Sequence, residues 1–230
     1  MIPLLHDFAG ETVLVFGGGS VGARKARRFA REASVVVVSP AFADADFGEA
    51  DASDADSRDR DFGDVERVRA APDIGDVAEW VERTEPALVV AATDDEILND
   101  AAETAARERG ILVNRADEHG ERDPGSVVVP ATVRDDPVTL AVATGGTSPA
   151  LSRYLREEIE SEFANAGAMA ELTGELREEL QERDVPVDER RAAVRAVVRS
   201  SAVWKALDTR SSKPRQVAVD VIEDVTGETL

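Results

Sequence analysis

The chain has no cysteine and only two histidines among its 230 residues. The missing thiol excludes disulfides, zinc–thiolate sites, iron–sulfur clusters and cysteine nucleophiles. Metal chemistry would therefore depend on His6, His119 or carboxylates. Because the histidines are not paired in the sequence, no metal ligand is assigned.

Basic residues are also scarce. Acidic residues number 47 against 27 basic ones, the formal net charge is -20, and only Lys25, Lys205 and Lys213 are lysines. Such a surface repels nucleic acid and anionic membranes, so neither is expected as a partner. This composition is typical of proteins adapted to high salt, where screening limits self-repulsion. An acidic protein from an ordinary habitat is the alternative.

Long apolar segments are missing as well. No apolar run approaches the roughly 18 residues that a membrane span needs. The N-terminus carries His6 and Asp7 where a secretory signal would have basic and then apolar residues, so we expect a cytoplasmic protein. With 43% hydrophobic and 32% charged residues, the composition is that of a globular protein.

The first half of the chain alternates strand and helix patterns. A β-branched run at 12–16 leads through a glycine turn into a helical segment, and four valines follow at 35–38. Further strands are predicted at 66–70, 87–92 and 111–113, and helices at 74–82 and 95–109. The alternation predicts an α/β fold with a Rossmann-like, doubly wound parallel sheet. The Asp-rich segment 44–64 is expected to be a solvated loop without chemistry.

The pattern changes after Asn114. Two β-branched runs, at 126–133 and 138–144, predict an antiparallel β-hairpin, and the chain beyond them is helical. Breaks between helices are expected near Gly174, at 184–186 and at 211–214. We therefore predict three parts: an NAD-binding Rossmann-like domain at 1–117, a hairpin segment at 118–148 and a helical domain at 149–230.

The glycine turn predicts a dinucleotide site. Its G-x-G-x-x-G spacing lets the backbone approach a pyrophosphate at a helix N-terminus. Ser39 and Pro40 stand where an acid usually binds the ribose, and no arginine takes its place, so charge alone does not separate NAD from NADP. The predicted cofactor-binding residues are Gly17, Gly18, Gly19, Ser20, Val21, Gly22, Ser39, Ala41, Phe42, Thr93 and Asp94. The structural alternatives are a packing turn at the glycines and a helix cap at Thr93 and Asp94.

Five strings of the chain, taken in order, resemble one family. They are Ile2-Pro3-Leu4, VFGGGSVGARKA at 15–26, AATDD at 91–95, VNRAD at 113–117 and ATGGTSP at 143–149. Together they are similar to the precorrin-2 dehydrogenase / sirohydrochlorin ferrochelatase family, the dehydrogenase module of siroheme synthases. The resemblance covers about residues 1–165, and since there is no room for the methyltransferase domain of fused siroheme synthases, it implies a free-standing form.

The resemblance implies NAD as cofactor, precorrin-2 as substrate and sirohydrochlorin as product, with ferrous iron inserted by some members. It also implies a homodimer formed through the hairpin segment, whose apolar strands are hard to satisfy as an isolated pair. The family's proposed catalytic aspartate matches Asp117, just beyond a strand on the edge that carries the glycine turn. A carboxylate there could accept the proton that oxidation releases. A solvated loop aspartate is the alternative.

A substrate rich in carboxylates calls for a local positive surface, which arginine forks and exposed backbone amides can supply. The predicted substrate-binding residues are Arg115, His119, Arg122, Thr144, Gly145, Gly146, Thr147, Ser148 and Arg153. The alternatives are surface salt bridges for the arginines, a solvated histidine, and a helix start at Ser148 and Pro149.

Two other functions stay open at this point. One is a non-enzymatic NAD(H)-sensing regulatory domain, which would normally carry an acid after the second strand. The other is a different small-molecule dehydrogenase, which would usually show a Tyr-x-x-x-Lys pair or a catalytic histidine. The sequence does not decide on iron insertion, on the exact tetrapyrrole or on the role of the C-terminal helices.

Overall fold

A computed structural model describes residues 2–48, 64–117, 126–209 and 213–227. The chain divides into two compact units, Met1–Val129 and Pro130–Leu230, and each is described by itself. The three-part division made from the sequence stays a prediction. Most of the Asp-rich loop predicted at 44–64 lies outside the described residues.

A five-stranded sheet forms the centre of the described part of the first unit. Its elements are β1 (Thr12–Phe16), α1 (Ser20–Phe29), β2 (Ser34–Ser39), β3 (Val65–Arg69), α2 (Ile74–Thr84), β4 (Leu88–Ala91), α3 (Glu96–Glu108) and β5 (Leu112–Arg115). The strands are parallel and lie in the order β3-β2-β1-β4-β5. The predicted doubly wound sheet is confirmed. Its order reverses between β1 and β4, where such sheets bind ligands.

Both faces of this sheet are buried. Val13 and Val15 pack with alanines of α1 on one face, whereas Leu14 and Phe16 pack with α2 and α3 on the other. Successive side chains of a strand point to opposite faces, which is why an unbroken apolar run suits a strand covered on both sides. Burial of each such side chain contributes about 1.5–3 kcal/mol. The loops after these strands therefore start from fixed positions.

The second unit joins a hairpin to a group of helices. Its elements are β6 (Ala131–Asp135), β7 (Val138–Val142), α4 (Pro149–Glu162), α5 (Ala166–Glu182), α6 (Val187–Arg199), α7 (Ser201–Asp208) and α8 (Pro214–Thr226). β6 and β7 are antiparallel. The Asp135 carboxylate accepts a hydrogen bond of 2.9 Å from the Gly167 backbone amide, which ties the hairpin to α5. Leu176, Leu180 and Ile222 belong to a separate core within these helices.

The predicted hairpin is confirmed, with shorter strands than the sequence pattern indicated. Val113 forms an isolated bridge with Ser126 in the first unit, whereas β6 starts only at Ala131. Pro130, just before it, has no amide hydrogen for a ladder. The boundary between the two units, between Val129 and Pro130, falls inside the predicted strand. No helix in the described ranges is long and apolar enough to cross a membrane.

The helix break expected near Gly174 is wrong, because α5 runs through that position. A glycine inside a helix costs about 1 kcal/mol relative to alanine. That cost is offset by burial of Leu172 and Leu176 on either side of it. Two breaks were not anticipated: Asn165 has φ +68°, a conformation that asparagine tolerates, and Ser200 caps α7 by accepting from the Val203 amide.

Candidate functional site

The turn after β1 needs glycine at its first and last positions. Gly17 has φ +116°, and a Cβ there would lie 2.3 Å from the Ala92 carbonyl oxygen. A Cβ at Gly22 would lie 1.9 Å from the carbonyl oxygen of Gly17. Both distances are far below van der Waals contact, so larger residues do not fit. The turn is thereby held tightly against the chain that follows β4.

Gly19 has a different environment, because a Cβ added there would meet no atom of the described residues within 4 Å, its immediate chain neighbours apart. It is the N-cap of α1 and contributes no side-chain cap, and the first turn of α1 carries no acidic residue. Gly19 and Ser20 are exposed, and the amides of Ser20 and Val21 belong to the first turn, which has no intrahelical acceptor and lies at the positive end of the helix dipole. This arrangement fits a pyrophosphate that approaches the backbone closely.

The residues predicted for the adenosine side adjoin this turn. Ser39 is buried and its hydroxyl donates to the carbonyl oxygen of Ala41 at 2.7 Å. A Cβ at Gly18 would lie 2.8 Å from the Ser39 side chain, and the Ala43 amide donates to the Gly18 carbonyl oxygen. Phe42 follows, with its ring 5.7 Å from that of Phe47. The structure thus brings Ser39, Ala41 and Phe42 beside the glycine turn.

Thr93 stands beyond β4 and binds the first turns of α3. Its hydroxyl donates to the side-chain oxygen of Asn99 at 2.7 Å, and the Asn99 amide group donates back to the Thr93 carbonyl oxygen at 3.1 Å. The N-cap of α3 is Asp95, which accepts from the Ile97 and Leu98 amides. The helix cap that the sequence offered at Thr93 and Asp94 is therefore found at Asp95, one residue later in the chain. Asn99 is 1% exposed and Thr93 is half-buried, so this contact is partly shielded from solvent.

Asp117 is held by three hydrogen bonds at the end of β5. Arg115 donates to its two carboxylate oxygens, from Nε at 2.9 Å and from Nη2 at 2.8 Å, and the Asn99 amide group donates at 3.0 Å. Arg115 also donates from Nη1 to Asp100 at 2.6 Å and to Glu103 at 2.9 Å. One guanidinium, 2% exposed, therefore joins three carboxylates.

These contacts change the acidity of Asp117. The hydrogen bonds from Arg115, followed by that from Asn99, lower the pKa of Asp117 from 3.8 to about 2, although partial burial acts in the opposite direction. The bond to Asp117 likewise raises the pKa of Arg115 above its ordinary value. Both groups are therefore charged at neutral pH, and Asp117 is a weaker base than a free aspartate.

A pocket of about 360 Å³ opens at this place. It is lined by Thr93, Asp94, Glu96, Asn99, Asp100, Arg115 and Asp117. Four of these side chains are acidic and one is basic, so the pocket carries negative charge. The structure thus brings together Thr93, Asp94, Arg115 and Asp117 from the sequence prediction.

Several residues of this site were missed from the sequence. Glu103 lies four positions after Asn99 and three after Asp100 on α3, so it shares a helix face with each of them. A second contact joins α1 to β5, where Lys25 donates to the Asn114 side chain at 2.8 Å. The sequence signal that could have identified the residues on α3 is a group of polar side chains at helical spacing within an alanine-rich segment.

The predicted residues of the second unit form a turn before α4. Gly145 and Gly146 have φ +62° and +83°, and the Thr147 amide donates to the Thr144 carbonyl oxygen. Ser148 is the N-cap of α4, accepting from the Leu151 amide, and Pro149 occupies the first turn. The helix start proposed as the structural alternative is therefore present. Arg153 is exposed on α4.

Two predicted substrate-binding residues, His119 and Arg122, lie outside the described residues. Among the residues that are described, no group of three or more His, Asp or Glu side chains could hold a metal ion. Iron insertion, which the resemblance attaches to some relatives, stays a prediction.

Comparisons with known proteins agree with this layout. Residues 4–131 match the family model described as "Putative NAD(P)-binding", and residues 135–162 match that described as "Sirohaem biosynthesis protein central". The solved structure of SirC, precorrin-2 dehydrogenase, superposes with a TM-score of 0.63, covering 97% of this chain and 100% of that chain. At 20% sequence identity, that match speaks for the fold alone.

Curated relatives give the family. Precorrin-2 dehydrogenase of Methanosarcina barkeri is 31% identical over 226 residues, which cover 96% of this chain and 93% of the relative. Siroheme synthase of Stutzerimonas stutzeri is 30% identical over 235 residues, and this chain spans 46% of its length. From its glycine turn to the helix that follows the hairpin, the chain belongs to the precorrin-2 dehydrogenase family, with an NAD(P)-binding domain at its N-terminus.

Proposed function

We propose that this chain is an NAD-dependent dehydrogenase that oxidises precorrin-2 to sirohydrochlorin in siroheme biosynthesis. One observation carries the proposal: the glycine turn follows β1 and Asp117 follows β5, at one edge of one sheet, with only β4 between those strands. A dinucleotide on the turn and a substrate over the carboxylate would then share a crevice. The Methanosarcina barkeri relative carries the corresponding name and matches over nearly its whole length.

The chain's own residues fit the cofactor. Gly17 and Gly22 fix the turn, Gly19 leaves room for the pyrophosphate, and the amides of the first turn of α1 donate to it. Ser39, Ala41 and Phe42 adjoin the adenosine side, with Thr93 and Asp94 on the other wall. When bound, NAD supplies the acceptor for the hydride that leaves the tetrapyrrole.

Asp117 acts in this proposal as a fixed anion above the substrate. Loss of a hydride leaves positive charge on the macrocycle, which a carboxylate at the pocket wall stabilises. The macrocycle then releases one proton to complete the two-electron oxidation. Because that proton leaves a cation, it is acidic, and a carboxylate with a pKa of about 2 can still receive it or pass it to water.

Arg115 and Asn99 are positioning residues in this proposal. The Arg115 guanidinium is already occupied by three carboxylates of its own chain, so we assign it to Asp117 rather than to the substrate. Asn99 connects Thr93 with the same carboxylate. The two donors fix both oxygens of Asp117 before the substrate arrives, which is the preorganisation that electrostatic catalysis needs.

The proposal includes a homodimer in the cytoplasm. α4 has no buried residue, and Leu151, Tyr154 and Leu155 on it, with Phe163 just after its end, are 36–56% exposed. β6 and β7 form a two-stranded sheet in which Val133 is the buried apolar residue. An exposed apolar helix beside a two-stranded sheet supports burial against a second copy.

The test is anaerobic incubation with precorrin-2 and NAD in concentrated potassium chloride. We expect NADH formation coupled to sirohydrochlorin absorbance in the wild type. Asp117→Asn keeps the shape but removes the charge, so we expect kcat to fall about 100-fold or more while NADH binding is kept. Asp224→Asn, an exposed position on α8, is the matched control and should match the wild type.

Two outcomes would contradict the proposal. A wild-type protein that binds NADH but oxidises no precorrin-2 would favour the nucleotide-sensing alternative. Equal rates in Asp117→Asn and Asp224→Asn would remove Asp117 from the reaction.

A further inference from the structure

In the part of the chain that the structure describes, β2 does not end in the carboxylate that would read the ribose. In dinucleotide-binding sheets an acid at the end of β2 accepts from the ribose 2′-hydroxyl, and its charge repels a 2′-phosphate. Here Ser39 ends β2, and its hydroxyl is turned to the Ala41 carbonyl oxygen. The first carboxylate after it in the chain is that of Asp44, and Asp46 is paired with Arg27 at 3.2 Å.

Two arginines of β3, Arg67 and Arg69, lie beside the segment Ser39–Phe42 at the end of β2. β3 pairs with β2 in parallel, with Arg69 opposite Ser39 and Arg67 opposite Val37. Being two residues apart on a strand, both arginines leave the same face of the sheet. Both are exposed. The sequence alone places them about 30 residues from Ser39, so only the strand pairing brings them together.

Their guanidinium groups lie around Phe42. That of Arg67 is 5.6 Å from the Phe42 ring centre and 5.4 Å from that of Phe47, and that of Arg69 is 5.7 Å from Phe42. Arg69 also donates from Nη1 to the Pro40 carbonyl oxygen at 3.2 Å. Contact with aromatic faces and with the turn restricts both side chains, so their positive charge stays beside Ser39–Phe42.

We propose that Arg69, supported by Arg67, gives this site a receptor for the 2′-phosphate, so that the chain binds NADP(H) as well as NAD(H). The inference rests on the proposed function, because it needs the dinucleotide on the glycine turn. The Ala43 amide donates to the carbonyl oxygen of Gly18 in the glycine turn. This hydrogen bond places the Ser39–Phe42 segment next to the pyrophosphate site. A guanidinium there can donate two parallel hydrogen bonds to a phosphate, which serine and proline cannot do.

The chain's overall charge makes this local arrangement informative. With a net charge of -20, a phosphate dianion is repelled by most of the surface. Two exposed arginines beside the ribose position, with a serine in place of the usual acid, reverse that preference locally. The structure assigns the discrimination between the two cofactors to β3 rather than to the end of β2.

The test is binding of NADPH and of NADH without tetrapyrrole, followed by nicotinamide fluorescence at constant potassium chloride. We expect wild-type Kd values for the two within about tenfold of each other. Arg69→Gln should raise the Kd for NADPH about tenfold, because a charge-assisted bond to phosphate is lost, and leave that for NADH unchanged. Arg83→Gln is the matched control, since Arg83 is an exposed arginine that stacks on Trp80 at 3.8 Å.

The outcomes separate this inference from the function on which it rests. Two results would overturn the inference alone, provided that the wild type binds NADH. In one, Arg69→Gln leaves the Kd for NADPH unchanged; in the other, Arg83→Gln raises that Kd as much as Arg69→Gln does. Failure of the wild type to bind either dinucleotide overturns the cofactor site as well. Because Arg69 is exposed, unchanged NADH binding in Arg69→Gln also serves as the check on folding.

Discussion

Replacing Arg115 with methionine should destabilise the first unit and change its response to acid. Methionine keeps much of the length and packing of the arginine stem but has no charge. The change removes the guanidinium that joins Asp117, Asp100 and Glu103. Of these, the Glu103 side chain is 10% exposed and keeps one cation, Arg107, at 2.5 Å.

The magnitude follows from the exposure of the three carboxylates. Removing one partner of a fully buried ion pair costs about 3–5 kcal/mol, because the other charge is left buried. Here the Asp100 side chain is 64% exposed and that of Asp117 is 29% exposed, so water can replace part of the lost interaction. We therefore expect Arg115→Met to lower the free energy of unfolding by about 2–3 kcal/mol.

Urea unfolding at neutral pH and constant potassium chloride measures this difference. Arg31→Met removes an exposed arginine near the end of α1 and is the control, expected to stay within about 0.5 kcal/mol of the wild type. An Arg115→Met protein as stable as Arg31→Met would refute the reasoning, since the guanidinium would then contribute no net stability.

The pH dependence provides an independent reading of the same contact. The pKa of Asp117 is lower in the folded state, about 2 against 3.8, so its contribution is complete above about pH 4 and is lost as the pH falls through about 2. After allowance for solvent screening, that contribution is on the order of 1 kcal/mol. In Arg115→Met the pKa of Asp117 returns toward its ordinary value, so the stabilities of the two proteins should approach each other between about pH 4 and 2. A constant difference across that range would contradict the predicted cause.

Two further predictions concern the glycine turn and the second unit. Gly22→Ala should lower the unfolding free energy by about 1–3 kcal/mol, since its Cβ would lie 1.9 Å from the Gly17 carbonyl oxygen, whereas Gly19→Ala should unfold like the wild type and bind NADH more weakly. Urea unfolding and NADH titration of both variants measure this difference. A Gly19→Ala protein as unstable as Gly22→Ala would contradict the prediction. In analytical ultracentrifugation the chain should sediment as a dimer, at twice 24.6 kDa. The double variant Leu151→Asp, Tyr154→Asp should sediment as a monomer, because charge replaces the exposed apolar side chains, whereas the control Glu158→Gln should stay a dimer. A wild-type monomer would contradict the dimer.

The sequence predicted those parts of the fold that depend on local pattern. The valines of β2 and the glycine turn indicated a parallel sheet because an apolar run buried on both faces and a turn of fixed spacing each have few structural solutions. Gly174 was misread because a helix tolerates a glycine when its neighbours are buried, and that burial depends on other helices. Asn165 was missed because asparagine in the left-handed region looks like any polar residue in the sequence.

The candidate site likewise contains residues that the sequence could place and residues that it could not. Asp117, singled out by the family resemblance, could be placed at the sheet edge because it follows a predicted parallel strand, and the carboxyl ends of parallel strands lie together. Asn99 and Arg69 could not be placed, because each reaches the site from another element through a pairing or a helix face that no short string records. Residues at strand ends are therefore predictable, and their partners are not.

Those partners determine what Asp117 can do. Taken from the sequence, it is a carboxylate near a cofactor and a candidate proton acceptor. With Arg115 and Asn99 on its oxygens, its pKa of about 2 makes it a poor base toward a neutral tetrapyrrole but a well-oriented anion toward a cationic one. In the proposed reaction the carboxylate therefore acts once hydride loss has begun to build positive charge on the macrocycle, and Arg115, two residues away, is the main cause of that preference.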